Sequence, residues 1–74
     1  MIKTGKYQHF KGKFYQVLHL AKHSETQEWL VIYKPLYKDE QNNELGIWAR
    51  PLAMFNETIE RDGNTIKRFN YVSD

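Results

Sequence analysis

Three short, aromatic-rich runs between Gly5 and Tyr37 constrain this chain more than any other feature. They are separated by the dipeptide Lys11-Gly12 and by the polar segment 23–27, both rich in residues that favour turns. Within the runs, apolar side chains recur at alternate positions, and β-branched and aromatic residues are frequent, as is typical of strands. The region is therefore predicted to form a meandering antiparallel β-sheet.

The length and composition limit the chain to one small domain. Its 74 residues allow only a thin core, and the 15% of aromatic residues suit a core built from few side chains. The sequence contains no cysteine, which excludes disulfide bonds and zinc sites made from thiolates. It also has no secretory signal and no stretch approaching the ~20 apolar residues that span a bilayer, so we expect a cytoplasmic protein without a membrane partner.

Turn-forming residues divide the chain into six predicted strands and one helical turn. The first three strands cover residues 6–10, 13–22 and 28–34, and the others cover residues 45–50, 57–61 and 65–71. Pro51 presets the backbone for a single helical turn over residues 51–55. Asp62-Gly63 suits the tight turn of a hairpin between the last two strands.

The second predicted strand carries apolar side chains on both faces. Tyr15 and Val17 lie on one face, whereas Phe14, Leu18 and Leu20 lie on the other. Such a strand is covered on each side for part of its length, as in a small barrel. The predicted fold is all-β, an SH3-like, partly open barrel of five or six short strands with one short helical turn near residues 51–55. Its open strand edges lead us to expect a monomer or a weak homo-oligomer.

Several motifs occur in an order that resembles a group of short bacterial proteins. They are Gly5-x-Tyr7-x-His9-x-Lys11-Gly12, Ala21-x-His23-Ser24-Glu25-Thr26, Val31-x-Tyr33, Trp48-x-Arg50-Pro51, Met54-Phe55-x-Glu57 and Arg68-Phe69. The group is domain-of-unknown-function family 1653, and the likeness covers nearly the whole chain. The resemblance implies a stand-alone bacterial domain with a small β-barrel, and it implies no activity. The polar loop at residues 39–45 is longer than in the family pattern.

Polar and aromatic residues together predict a ligand-binding groove. Trp48 and Arg50 share a face of one predicted strand, and tryptophan and arginine are among the residue types that most often anchor partners. Arginine can also grip a phosphate or carboxylate with two parallel hydrogen bonds. We therefore predict a binding module that recognises an anionic small molecule or peptide through eight residues: Tyr7, His9, His23, Ser24, Glu25, Thr26, Trp48 and Arg50.

The same residues also have a purely structural interpretation. Trp48 would then fill the barrel, and Arg50 would stack on a core ring or pair with Glu28 or Glu57. Residues 23–26 would form a turn whose hydroxyl groups cap backbone amides. Arg68 would donate an ion pair to an acid of its own hairpin.

A third interpretation is a small enzyme or an enzyme accessory subunit, in which His23 acts as a base and Glu25 as its partner. Ser24 lacks the G-x-S-x-G surroundings of an exposed nucleophile, so we assign no catalytic residue. His19 and His23 would lie about 13 Å apart on an extended strand, too far to share a metal ion. We therefore expect neither a metal site nor a cofactor.

The uneven distribution of charge supports an alternative function. Residues 1–38 contain seven lysines and two acids, whereas residues 39–74 contain four basic and seven acidic residues. Single-stranded nucleic acids bind surfaces that combine cations with aromatic rings. Nucleic-acid binding through the lysine-rich first half is therefore the alternative, with four candidate residues: Lys6, Lys11, Lys13 and Lys22.

Overall fold

The structure, a computed structural model, describes residues 2–74. These residues form seven strands and one helical turn: β1 (Gly5–His9), β2 (Phe14–Lys22), β3 (Trp29–Pro35), β4 (Trp48–Pro51), α1 (Leu52–Phe55), β5 (Thr58–Arg61), β6 (Asn64–Lys67) and β7 (Phe69–Ser73). The all-β class and the helical turn after Pro51 are confirmed. None of the helical segments in residues 2–74 is long and apolar enough to cross a membrane.

Five strands form one antiparallel sheet in the order β4-β3-β2-β1-β7, and β5 and β6 form a separate hairpin. The first three strands are neighbours in the sheet, so the predicted meander is confirmed. The predicted turn between β5 and β6 is also confirmed, with φ values of 53° at Asp62 and 80° at Gly63. Positive φ at both central residues is what a two-residue hairpin turn requires.

The prediction of one strand over residues 65–71 is wrong, because the chain changes sheet at Arg68. The Arg68 N–H donates to the Glu57 carbonyl oxygen (3.0 Å), which extends the β5–β6 hairpin. The Arg68 carbonyl oxygen accepts the Phe10 N–H (2.9 Å), beside the start of the β1–β7 pairing. The single predicted strand is therefore two strands in different sheets, which raises the strand count to seven.

The predicted face of Leu20 is wrong, because β2 contains a β-bulge. Val17 lies opposite Tyr33 in β3, but the register then shifts, so that Leu20 lies opposite Val31. One extra residue in a strand reverses the alternation of the side chains that follow it. Leu20 therefore packs against the core on the same face as Val17, although the alternation of the sequence places it on the other face.

The core lies on one face of the five-stranded sheet and consists mainly of aromatic rings. The Phe55 and Phe69 rings stack at 4.2 Å between centroids with an interplanar angle of 3°. Phe55 is only 1% exposed, so the short helix α1 serves mainly to place this ring under the sheet. The buried residues of this core cluster are Tyr7, Tyr15, Val17, Val31, Tyr33, Phe55 and Phe69.

The sheet curls without closing into a barrel. Its two edge strands are β4 and β7, and neither pairs with the other in the described residues. The Arg50 guanidinium of β4 nevertheless lies 5.7 Å from the ring centroid of Phe69 in β7. Side chains of the two edges therefore meet across a seam, defined here as the gap between β4 and β7. The relation to SH3-like barrels stays a prediction.

Candidate functional site

The register of β4 places Trp48 and Arg50 on the face of the sheet that carries the core. Trp48 lies opposite Tyr33, and Arg50 lies opposite Val31, and both of these β3 residues are buried. Directly opposed residues of antiparallel strands project to the same face of a sheet. The predicted shared face of Trp48 and Arg50 is therefore also the inner face.

Five residues around the seam form what we call the inner-face cluster: His9, Tyr15, Trp48, Arg50 and Phe69. The Trp48 indole lies edge-on to Tyr33 at 5.9 Å and tilted against Tyr15 at 6.5 Å. Its Nε1–H donates to the Leu45 carbonyl oxygen (3.1 Å), which fixes the orientation of the ring. Because the side chain is still 37% exposed, part of the indole remains accessible to a ligand.

Arg50 contributes a positive charge to the inner-face cluster. Its guanidinium lies over the Phe69 ring, as the structural interpretation of the sequence predicted. The predicted pairing with Glu28 or Glu57 does not occur, because no carboxylate of residues 2–74 lies within 4.0 Å of Arg50. The half-buried charge is thus left without an ionic partner in the described part of the chain.

His9 lies opposite Phe69 in the β1–β7 register, and their rings meet edge-on at 4.9 Å. Its Nδ1 accepts the Lys11 N–H (3.1 Å), so the proton of the neutral imidazole is on Nε2. Burial lowers the pKa of His9 below its ordinary value, and the positive charges of Arg68, Arg50 and Lys11 lower it further. His9 is therefore a neutral side chain with one N–H donor.

Arg68 forms the rim of the cluster on the hairpin side. Its Nη2 donates to Oε1 of Glu57 at 2.7 Å, so the predicted ion pair within its own hairpin is confirmed. Its Nε is buried and has no hydrogen-bond partner in the range 2–74. Sequence reasoning assigned Arg68 no functional role, since only the change of sheet at this residue brings it towards His9.

Two tyrosine hydroxyl groups form the opposite rim. The Tyr15 and Tyr37 oxygens are 3.1 Å apart and share a hydrogen bond. Burial raises the pKa of Tyr15 strongly, and the hydrogen bond shared with Tyr37 raises it further. The Tyr15 hydroxyl group is therefore a neutral donor or acceptor beside Trp48. The alternation of Tyr15 with Val17 marks it as inward-facing, but nothing in the sequence pairs it with Tyr37.

Tyr7 belongs to the core and is not a member of the inner-face cluster. Its ring is 5% exposed and makes edge-on contacts with Phe55 (5.4 Å) and Tyr71 (5.5 Å). Its hydroxyl group donates to the Lys3 carbonyl oxygen (2.8 Å). The Phe55 and Tyr71 rings therefore cover most of the Tyr7 ring.

The four predicted site residues of segment 23–26 form the β2–β3 turn. The His23 Nδ1 accepts the N–H groups of Glu25 (3.2 Å) and Thr26 (3.3 Å), and the Ser24 hydroxyl donates to the Glu25 carboxylate. The Thr26 hydroxyl oxygen accepts the Glu28 N–H (3.2 Å). Side chains therefore cap backbone amides here, as the structural interpretation of this segment predicted.

Apart from Tyr7, which lies in the core, the predicted site residues fall into two separate groups. His9 ends β1 beside the start of β2, and His23 follows the end of β2, whose nine residues span about 30 Å. Trp48 and Arg50 lie with His9, whereas Ser24, Glu25 and Thr26 lie with His23. The structure does not bring all eight residues into one groove.

Each of the four lysines proposed to contact nucleic acid lies over an aromatic ring. The distance from each ammonium nitrogen to the centroid of its ring is 4.0 to 5.8 Å. The pairs are spread from the β1–β2 turn to the β2–β3 turn. They are Lys6 with Phe14, Lys11 with Phe10, Lys13 with Tyr37 and Lys22 with Trp29.

Residues 2–74 contain no group of three or more His, Asp or Glu side chains that could hold a metal ion. The chemistry of the inner-face cluster is instead that of hydrogen-bond donors, aromatic surface and positive charge. These groups suit non-covalent recognition of an anion.

Comparison with known proteins agrees with the fold. A family model described as "Protein of unknown function (DUF1653)" matches residues 5–71. A crystal structure of a DUF1653 protein from Bordetella bronchiseptica superposes with a TM-score of 0.84. The two sequences are 36% identical, and the match covers 97% of this chain and 88% of the other. No curated protein matches the chain.

Proposed function

The chain belongs to the DUF1653 family, as its motifs predicted, and we propose that it is a binding module for anionic groups. The ligand carries a phosphate or a carboxylate, on a small molecule or a peptide, and occupies the inner-face cluster. The observation that carries this proposal is the Arg50 guanidinium, which lies on an aromatic surface with no carboxylate partner in residues 2–74.

A half-buried guanidinium favours an anion more strongly than an exposed one does. Interaction between charges strengthens as the local dielectric falls, and the rings of Phe69 and Trp48 exclude water from one side of the seam. A planar guanidinium also matches both oxygens of a carboxylate or phosphate. Arg50 is therefore the proposed anchor of the bound anion.

The other members of the inner-face cluster complement this anchor. His9 offers its Nε2–H as a neutral donor, so it binds an anion without first taking up a proton. The exposed part of the Trp48 indole offers a stacking surface for the remainder of the ligand. The Tyr15–Tyr37 hydroxyl pair can donate or accept at the rim.

The seam also suits a ligand that is extended. Because β4 and β7 are the edges of the sheet, each has one side on which its backbone forms no ladder with another strand of residues 2–74. An extended peptide can hydrogen-bond to such an edge while its acidic side chain reaches Arg50. This geometry explains how a peptide and a small anion could use the same anchor.

The test compares two arginines that each lie over a phenylalanine ring but differ in burial. Arg50 is half-buried over Phe69, whereas Arg61 is exposed and lies over Phe10 at 5.5 Å, so Arg50→Gln and Arg61→Gln remove the same charge from two different environments. Affinities for pyrophosphate and for a hexaglutamate peptide would be measured by calorimetry. We expect Arg50→Gln to weaken binding about tenfold or more, because a charged hydrogen bond is lost. Equal losses in the two variants would refute the proposal.

Nucleic-acid binding remains the second candidate, and the lysine–ring pairs support it. Binding of single strands combines cations with aromatic faces, and Lys6, Lys11, Lys13 and Lys22 each combine the two. This function predicts an affinity for oligonucleotides that falls steeply with salt, by about 0.7 units of log K per phosphate contact. A weak salt dependence that follows Arg50 alone would instead favour the first proposal.

A further inference from the structure

A cleft lies beside the N-terminal segment and β7. It has a volume of about 340 Å³, and we call it the N-terminal cleft. Ligand-binding pockets usually measure about 300–1,000 Å³. Two other clefts, along the segment from Lys34 to Ile47, measure about 150 and 200 Å³ and fall below that range. The N-terminal cleft is therefore large enough for a small ligand.

The lining of the N-terminal cleft combines aromatic rings with positive charge. Its apolar wall is formed by Ile2 and by the rings of Tyr7, Phe69 and Tyr71. Its polar lining residues are Lys3, Lys67 and Asn56. These lining residues, all from the described part of the chain, include no acid.

The aromatic wall is held in place by the surrounding structure. Tyr7 lies opposite Tyr71 in the β1–β7 register, and its hydroxyl group donates to the Lys3 carbonyl oxygen (2.8 Å). Phe69 is fixed by its stack on Phe55. A preformed wall of this kind binds a ring with little loss of conformational entropy.

We propose that the N-terminal cleft binds a small aromatic anion, meaning a planar ring that carries one phosphate or carboxylate group. The ring packs against Tyr7 and Tyr71, and the anionic group interacts with Lys67 and Asn56. This site uses none of the cations proposed to act at the seam, and Phe69 is its only residue in common with the inner-face cluster.

The charges at the two ends of the cleft determine the orientation of the ligand. The Lys3 ammonium already lies over the Tyr71 ring at 4.8 Å, and the Tyr71 hydroxyl donates to the Asp74 carboxylate. An anion at that end would approach a negative group. Lys67 has no carboxylate within 4.0 Å among residues 2–74, so its end of the cleft is favourable for the anion.

The experiment uses three probes on the ¹⁵N-labelled protein. Phenyl phosphate has both the ring and the charge, inorganic phosphate has only the charge, and benzyl alcohol has only the ring. We expect phenyl phosphate at millimolar concentration to shift the amides of Lys3, Tyr7 and Tyr71 and the Asn56 side-chain amide. No shift at these positions, or equal shifts with inorganic phosphate, would overturn the proposal.

Two lysine variants distinguish specific binding in the cleft from nonspecific attraction to positive surface charge. Lys67→Ala should weaken phenyl phosphate binding about fivefold, the upper range for one exposed ionic contact. Lys22→Ala removes the same charge at the β2–β3 end and should leave the affinity unchanged. Equal weakening by both variants would refute the site. Because phenyl phosphate could also bind Arg50 at the seam, the affinity of the cleft is read from the Tyr71 amide shift alone. Arg50→Gln should leave that affinity unchanged, so failure here is distinguishable from failure of the proposed function at the seam.

Discussion

The close approach of β1 to β7 depends on Gly5, and adding one methyl group there should destabilise the domain. A Cβ atom at Gly5 would lie 2.7 Å from the Ser73 carbonyl oxygen and 3.1 Å from Cε1 of Tyr71. The φ of Gly5 is 133°, a backbone conformation that residues with a side chain rarely adopt. Gly5→Ala therefore introduces both backbone strain and a steric clash with backbone.

The magnitude follows from these two effects and from a matched control. Strain from an unfavourable φ costs about 1–3 kcal/mol, and the clash adds to it because the β7 backbone must move. Gly12 has a φ of 108°, but a Cβ there would meet no atom of residues 2–74 within 4 Å. Gly12→Ala should thus show the strain alone. We expect a loss of about 2–4 kcal/mol for Gly5→Ala and about 1 kcal/mol for Gly12→Ala.

Thermal unfolding followed by circular dichroism can resolve this difference. For a domain of this size, 1 kcal/mol corresponds to about 4–8 °C in Tm. Gly5→Ala should therefore lower Tm by roughly 10–30 °C, and Gly12→Ala by less than about 10 °C. If Gly5→Ala were no more destabilising than Gly12→Ala, the described approach of β1 to β7 would be wrong.

Three further predictions concern the core, pH and the hairpin. Phe55→Ala should lower the unfolding free energy, measured with urea, by about 3–5 kcal/mol. Met54→Ala, at a 48% exposed position, should change it by no more than about 0.5 kcal/mol. Similar losses in the two variants would contradict the stacked core. Because the folded state lowers the pKa of His9 below 6.5, the unfolding free energy should fall as pH drops through about 6.5, and His9→Asn should lack this component. An unchanged pH profile in His9→Asn would exclude that origin. Arg68→Gln breaks the ion pair with Glu57 and should speed amide exchange in β5 and β6 but not in β2; uniform acceleration would mean global destabilisation instead.

Local patterns predicted much of the fold because local physics determines it. Alternation and turn residues identify the meander, Pro51 identifies the helical turn, and Asp62-Gly63 identifies the hairpin. The shared face of Trp48 and Arg50 also follows from the two-residue period of a strand. These features require knowledge of neighbouring residues only.

The errors arose where distant segments decide the outcome. Residues 65–71 read as one strand, and only the hydrogen bonds of Arg68 to Glu57 and Phe10 divide it. The bulge that turns Leu20 inward depends on its register with β3. The separation of His9 from His23 could be predicted from the sequence, because the predicted strand between them is long enough to hold the two residues far apart.

We propose that the seam between β4 and β7 binds anions, and the two tryptophan indoles can report such binding. Trp48 lies at the seam, whereas Trp29 lies at the far end of β3 beside Lys22. The Nε1–H signals of both indoles would be followed in ¹⁵N–¹H spectra during titration with pyrophosphate and with hexaglutamate. If the seam binds these anions, the Trp48 signal should show a saturable shift that is absent in Arg50→Gln, and the Trp29 signal should not shift. A silent Trp48 signal, or equal shifts of both indoles, would contradict the proposal.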